Sequence, residues 1–261
     1  MSAAIKPKGP RQTPAQYHPL AWATTYLNST VGSKVLVAIT GLSLVGFLVF
    51  HMIGNLKVLF GQDDINGYAH FLKHGLGPIL WIARGGLLVL FVTHIALALR
   101  LKAKTSAARP VPYLALKPVQ ATLSSRTMLL TGLVVGAFLL YHLAHFTFGW
   151  THQVELANGM KVDYQSLKDA EGRPDVYSIT VAGFRSPLIA GLYIVAQLIL
   201  FAHLSHGIQS TLQTLGLKGT RFAPLWSALG FSTAGAILIG NLVIVIAILS
   251  GLVPPIYPGA R

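Results

Sequence analysis

The chain has 261 residues, of which 53% are hydrophobic and 10% charged, and its formal net charge is +13 at pH 7. This apolar composition excludes an ordinary water-soluble domain, and the scattered basic residues do not form the basic helix or patch of a nucleic-acid-binding protein. Because the chain has no cysteine, structural disulfides, thiolate-held iron–sulfur clusters and covalently attached haem are excluded as well.

The chain begins with a polar arm, residues 1–30, that lacks the apolar core of a cleaved signal peptide, so we expect none. Five apolar stretches follow, each long enough to cross a membrane as a helix. They predict a single all-α domain over residues 1–261, an integral membrane bundle of five transmembrane helices. The predicted spans are 33–54, 78–101, 126–149, 187–212 and 224–252.

Loop charges predict the orientation of the bundle. The N-terminal arm and the loops 100–126 and 213–223 carry Lys and Arg but no acidic residue, which is typical of cytoplasmic segments. We therefore expect the N-terminus in the cytoplasm and the C-terminus outside. The long outer loop, residues 150–186, is expected to hold a short hairpin or a helix, and the sequence does not choose between them. All seven acidic residues lie on the predicted outer side: Asp63, Asp64, Glu155, Asp163, Asp169, Glu171 and Asp175.

Histidine is the unusual residue of the first four spans. An ionisable ring in hydrocarbon is costly and indicates function, although any one of these rings could instead form an ordinary hydrogen bond to a carbonyl or a neighbouring helix. The predicted spans hold no carboxylate, which counts against a proton-driven carrier. The six histidines in or near the spans are His51, His94, His142, His145, His203 and His206.

Four of these histidines fall at one depth within their spans. Each follows the charge or proline at its span entrance by about sixteen residues, which places the ring about 24 Å into a core about 30 Å thick. Since successive spans run in opposite directions, His51 and His142 approach the outer face, whereas His94 and His203 approach the inner face. The pattern predicts two pairs, about 15 to 20 Å apart, on helices that stand diagonally across the core.

Two imidazoles at each level suit haem iron better than a bare metal ion, which would need three or four clustered ligands. A porphyrin supplies four nitrogens, so two neutral imidazoles complete six-coordination and favour electron transfer over oxygen chemistry. Nearby glycines, Gly41 and Gly132 among them, would let a ring system approach the helices, although glycine is as common in ordinary membrane-helix packing. The expected cofactors are two non-covalent haem b groups.

The segments "YHLAHF" and "HLSHG" each offer two histidines three residues apart. An internal resemblance between "TGLSLVGFLVFH" and "TGLVVGAFLLYH" matches His51 with His142 rather than with His145. His145 and His206 are then expected to support the ligands or to lie at headgroup level. In the fourth span the sequence alone favours His203 over His206 only slightly.

These segments resemble the single-chain, five-helix, two-haem cytochrome b membrane-anchor subunit of succinate:quinone oxidoreductases and quinol:fumarate reductases. The resemblance covers nearly the whole chain, through "TGLSLVGFLVFHMIGNL", "FVTHIALALR", "TGLVVGAFLLYHLAHFTFG", "DVYSITVAGFRSPLIAGLYIV" and "HLSHGIQSTLQTLG". It implies axial ligation of an inner haem by His94 and His203 and of an outer haem by His51 and His142. His203 is preferred because the family ligand lies thirteen residues before the glycine that matches Gly216.

The resemblance also implies partners: a flavoprotein subunit and an iron–sulfur subunit at the cytoplasmic face of a prokaryotic inner membrane, and a quinone, menaquinone rather than ubiquinone. Lys34, Arg100 and Arg126, at the inner interface, could contact haem propionates or the quinone, and snorkelling to lipid headgroups explains them equally well. Some relatives carry an acidic residue where this chain has Phe201, so we do not expect their transmembrane proton route here.

Other functions stay open at this point. The same subunit could serve quinol:fumarate reduction, and the haems could belong to another membrane dehydrogenase. A haem-free carrier or channel could use the histidines to relay protons or bind a metal.

Overall fold

The structure is a computed structural model that describes residues 20–108, 123–151, 153–155, 159–217, 219 and 221–256. Five of its helices are long and apolar enough to cross a membrane, which confirms the predicted spans to within a few residues. A short helix, α1, precedes them at Ala21–Asn28, within the arm predicted only to be polar. The five long helices are α2 (Thr30–Asn55), α4 (Pro78–Ala107), α5 (Leu123–His142), α7 (Pro187–Thr214) and α8 (Ala223–Leu249).

Local sequence explains how these helices begin. The Ser29 side chain caps α2 by accepting a hydrogen bond from the backbone N–H of Gly32 at 3.0 Å. Pro78 and Pro187 open α4 and α7, where the missing N–H of proline costs no helical hydrogen bond. At their far ends α2 continues as a 3-10 turn, Leu56–Phe60, and α5 as a π-helical turn, Leu143–Thr147.

The long helices pack as a four-membered ring with one helix outside it. Helix α2 packs against α4 and α7, α5 packs against α7 and touches α4 lightly, and α8 covers α7 and α2. Consequently α2 faces α5 across the ring, and α4 faces α7. The diagonal arrangement expected from the sequence is therefore present. We call the end at which α2 begins the inner end and the opposite end the outer end.

Polar chain segments cover the outer end. The loop 150–186 contains a two-stranded antiparallel hairpin, β1 (Gln153–Glu155) with β2 (Lys161–Asp163), and a helix, α6 (Val176–Phe184). The loop between α2 and α4 forms another helix, α3 (Gln62–His70), which the sequence analysis did not predict. Both elements that the sequence left open for the long loop are thus present.

Buried polar side chains join α3 to α6. The carboxylate of Asp175 is fully buried and accepts hydrogen bonds from Gln62, from Asn66 and from the backbone N–H of Ser178, at 3.0 to 3.1 Å. The side-chain oxygen of Asn66 accepts from the backbone N–H of Tyr177 at 3.0 Å. Asp175 thereby caps α6 and fixes it against α3.

An ion-pair network on Arg173 extends this junction toward solvent. Its guanidinium contacts Asp63 and Asp169 at 2.8 Å and Glu171 at 3.2 Å.

The Tyr177 hydroxyl donates to the carbonyl of Pro254 at 2.8 Å, which holds the end of the described chain against α6. The outer end is therefore a structured cap above the helix ring.

Candidate functional site

At the outer end the structure brings together two of the predicted histidines from diagonally placed helices. The rings of His51 on α2 and His142 on α5 lie edge to face with centroids 5.8 Å apart. Two imidazoles bound to opposite sides of one metal ion, each by a bond of about 2 Å, have ring centres roughly 6 Å apart. The separation of this outer pair therefore fits axial ligation of one iron.

Aromatic side chains surround the outer pair. Phe47 stacks on His51 at 5.2 Å, and Phe138 and Phe146 lie 6.2 and 5.6 Å from the His142 ring. The Tyr193 hydroxyl lies 3.3 Å from Nδ1 of His142, which leaves Nε2 as the nitrogen for a metal. Apart from the Tyr193 hydroxyl, these ring contacts of the outer pair are apolar.

His145 takes a different position from His142. It is fully buried, with Nδ1 3.0 Å from the Tyr193 hydroxyl and Nε2 3.4 Å from the Tyr164 hydroxyl. Burial raises the pKa of the Tyr164 phenol. Both ring nitrogens thus lie near tyrosine hydroxyls, one on α7 and one in the outer loop, and the roles predicted for His145 stay predictions.

At the inner level each predicted histidine packs against the helix next to its own, and the two contacts are equivalent. Nδ1 of His94, on α4, lies 3.1 Å from the Thr40 hydroxyl of α2. Nδ1 of His203, on α7, lies 3.2 Å from the Thr131 hydroxyl of α5. The rings of His94 and His203 are close enough to interact electrostatically. We call Thr40–Gly41 and Thr131–Gly132 the Thr–Gly seats.

The glycine of each seat makes room for the imidazole. A Cβ atom added to Gly41 would lie 3.0 Å from Cε1 of His94, and one added to Gly132 would lie 3.1 Å from Cε1 of His203. Either distance is shorter than an ordinary van der Waals contact. A methyl group at either position would therefore require the ring to move by a few tenths of an ångström.

The two pairs lie at different levels of the bundle. Thr40 precedes His51 on α2 by eleven residues, and Thr131 precedes His142 on α5 by the same number. At 1.5 Å of rise per residue these intervals correspond to about 16 Å along the helices. This separation lies within the range predicted from the sequence.

The other predicted residues lie near the inner end and keep their roles as predictions. His206 is half-buried one turn beyond His203, whereas His203 occupies the Thr–Gly seat. Arg100 donates to the Asn28 side chain at 3.0 Å and so contacts the segment that precedes α2. Lys34 and Arg126 are exposed near the starts of α2 and α5.

Sequence reasoning missed the residues that contact the histidines: Thr40, Thr131, Tyr193 and Tyr164. The repeated "TGL" was a usable signal for the first two, since it occurs at the same interval before His51 and before His142. No comparable pattern marks Tyr193 or Tyr164, because tyrosines in apolar runs commonly serve as packing residues.

The metal-binding side chains of the described residues suit a cofactor, such as haem, that itself supplies most of the ligands of its metal ion. In these parts of the chain no three His, Cys, Asp or Glu side chains converge on a point that could hold a metal ion. What converges are pairs of imidazoles from opposite helices, as a haem would need. Comparison with protein-family models, with curated proteins and with solved structures finds no match.

Proposed function

We propose that this chain is the di-haem b membrane-anchor subunit of a succinate:quinone oxidoreductase in the inner membrane of a prokaryote, with its inner end facing the cytoplasm. The observation that carries the proposal is the arrangement of four histidines, one from each helix of the ring, as two pairs about 16 Å apart in depth. The family resemblance stated for the sequence adds the identity of the complex.

The chain's own residues have distinct tasks in this proposal. His51 and His142 would hold the outer haem, and His94 and His203 the inner one. A bound haem supplies reversible one-electron transfer. Because each haem would be held by two imidazoles, the side chains would favour electron transfer over oxygen binding. Phe47, Phe138 and Phe146 would give the outer haem apolar neighbours.

The inner end suits the proposed partners, a flavoprotein subunit and an iron–sulfur subunit. Its described part exposes Lys34, Lys102, Arg126 and Arg221, and all seven carboxylates of the chain lie outside the five long helices, in the segments of the outer end. A positively charged face promotes docking onto an acidic partner surface. A quinone, menaquinone in this proposal, would exchange electrons with the haems.

The test is to purify the complex from native membranes through a tag on this chain and to record its optical spectrum before and after adding succinate. We expect the flavoprotein and iron–sulfur subunits to copurify and both b haems to be reduced by succinate. His203→Ala should remove one haem, whereas the control His206→Ala should retain both. Haems that respond to formate or hydrogen but not to succinate would assign the chain to another dehydrogenase and contradict the proposal.

A further inference from the structure

The Thr–Gly seats make the same contacts with His94 and with His203, although the two histidines lie on different helices. In each seat a threonine hydroxyl meets Nδ1 of the ring, at 3.1 and 3.2 Å. The glycine after it lets the Cε1 edge of the same ring lie against the helix backbone. A pairing that occurs twice, at the same level of the bundle, indicates a shared task.

The hydrogen-bond partners of the two threonine hydroxyls favour one tautomer of the histidines. The Thr40 hydroxyl donates its single proton to a carbonyl of its own helix, with Leu36 at 2.8 Å and Val37 at 3.1 Å. The Thr131 hydroxyl does the same toward Thr127 and Met128, both at 3.1 Å. A hydroxyl whose proton is used in this way can only accept from the imidazole. When the hydroxyl proton goes to a carbonyl, Nδ1 of each histidine is the donor.

Backbone carbonyls at the seats lead to the same assignment. The Val37 carbonyl, which accepts from Thr40, also lies near the His94 ring, and the Met128 carbonyl, which accepts from Thr131, lies near the His203 ring. A carbonyl accepts and cannot donate. Val37 and Met128 each lie one helical turn before the glycine of the seat.

From this geometry we propose that Thr40 and Thr131 are positioning residues that hold His94 and His203 in the tautomer protonated at Nδ1, so that Nε2 presents its lone pair to the inner haem iron. The proposal rests on the proposed function. An Nδ1–H that donates to an oxygen makes the imidazole a more basic ligand, which favours the ferric over the ferrous iron. The two hydroxyls thus lower the potential of the inner haem.

Among the described contacts, neither histidine of the outer pair lies against a threonine followed by glycine. His51 stacks on Phe47, and His142 shares the Tyr193 hydroxyl with His145. Removing the threonine hydroxyls should therefore change one haem and leave the other unchanged, which a general loss of packing would not do.

The experiment compares Thr40→Val and Thr131→Val with Thr40→Ser and Thr131→Ser in the purified complex. Valine keeps the shape and removes the hydroxyl, whereas serine keeps the hydroxyl. Thr127→Val is the matched control, because that hydroxyl bonds to the carbonyl of Leu123 on the same helix, one turn before the seat. The readouts are haem content, the midpoint potential of each haem, and the low-spin ferric electron paramagnetic resonance signals.

We expect two haems in every variant, an upward shift of one midpoint potential and a changed resonance signal in the valine variants, and wild-type values in the serine and Thr127 variants. A tenfold change in the ferric-to-ferrous preference is about 59 mV for one electron. Loss of one haem in the valine variants with full retention in the serine variants would also support the proposal.

Two haems whose potentials and signals are unchanged in the valine variants would overturn the tautomer assignment alone. Equal losses in the valine and serine variants would do so too, since the hydroxyl would then not be the cause. A wild-type protein without haem would overturn the proposed function instead.

Discussion

Gly41 and Gly132 allow the inner histidines to touch their neighbouring helices. An added methyl group would lie 3.0 Å from the His94 ring in one case and 3.1 Å from the His203 ring in the other. Forcing a methyl group into such a contact typically costs about 1 to 3 kcal/mol. We expect Gly41→Ala and Gly132→Ala each to lower the occupancy of one haem and the thermal stability of the protein.

The matched control for these substitutions is Gly85→Ala on α4, where no heavy atom lies within 4 Å of the added Cβ. Alanine there should be neutral or should stabilise the helix by up to about 1 kcal/mol. The measurements are haem content per chain and the midpoint of thermal unfolding. Equal behaviour of the seat and control variants would show that the seats are not close contacts.

At the scale of residues the sequence identified the histidines but not the side chains that orient them. An imidazole in an apolar span is conspicuous because it is costly there. A threonine in a membrane helix is not conspicuous, since its hydroxyl can bond to its own backbone, as that of Thr127 does. Only the packing of α2 on α4 and of α5 on α7 assigns Thr40 and Thr131 a partner.

Among the elements, α6 depends on its N-cap residue. Asp175 accepts hydrogen bonds from Ser178, Asn66 and Gln62, so Asp175→Ala would remove the cap and leave the buried Asn66 donor without this partner. Loss of a cap costs about 1 kcal/mol, and an unpaired buried group about 1 to 3 kcal/mol more.

We expect Asp175→Ala to speed proteolytic cleavage within residues 150–186 when protease is added to the outer face of vesicles. Asp64→Ala is the control, because that carboxylate is exposed on α3. Cleavage rates that are the same in both variants would contradict the role assigned to Asp175.

The contact between α3 and the outer loop should also weaken in acid. Burial alone would raise the pKa of Asp169, but hydrogen bonds from Arg173 and Asn66 outweigh it and hold the pKa below its usual value. A carboxylate with a lowered pKa contributes stability fully above its unfolded pKa of about 3.9 and loses that contribution as the pH falls. The stabilisation is therefore complete at neutral pH and declines below about pH 4.

Hydrogen–deuterium exchange measures this effect. After correction for the intrinsic rates, we expect residues 161–176 to exchange faster at pH 3 than at pH 6 in the unchanged protein. Asp169→Asn cannot lose a proton and should remove much of the pH dependence. An unchanged pH dependence in that variant would assign the effect to another group.

The elements also differ in how far the sequence predicts them. Long apolar runs specify α2, α4, α5, α7 and α8. In a membrane a single segment can satisfy its backbone hydrogen bonds only by forming a helix. Helix α3 is short and polar. It is stabilised by the hydrogen bond from its Asn66 to Asp175, the N-cap residue of α6, which lies far away in the sequence. Such tertiary contacts are not visible in a local pattern.

At the scale of the whole molecule, labelling of introduced cysteines tests the predicted orientation of the chain in the membrane. The chain has no cysteine, so Ser106→Cys and Ser166→Cys each introduce a single thiol at an exposed position. Ser106 lies at the inner end and Ser166 in the outer loop. The excess of basic residues at the inner end predicts a cytoplasmic location for Ser106.

A membrane-impermeant maleimide should therefore label the Ser166→Cys variant in right-side-out vesicles and the Ser106→Cys variant only in inverted ones. Detergent-solubilised protein is the control and should label at both positions. The reverse pattern would place the basic end outside and separate it from cytoplasmic partners.

The most direct test of the central claim is the haem content of the purified chain, determined from the absorbance of the extracted pyridine complex. The account predicts two non-covalent b haems per chain, one after His51→Ala or His142→Ala, and two after His145→Gln. A chain that carries no haem, or that keeps both haems without His51 and His142, would contradict it.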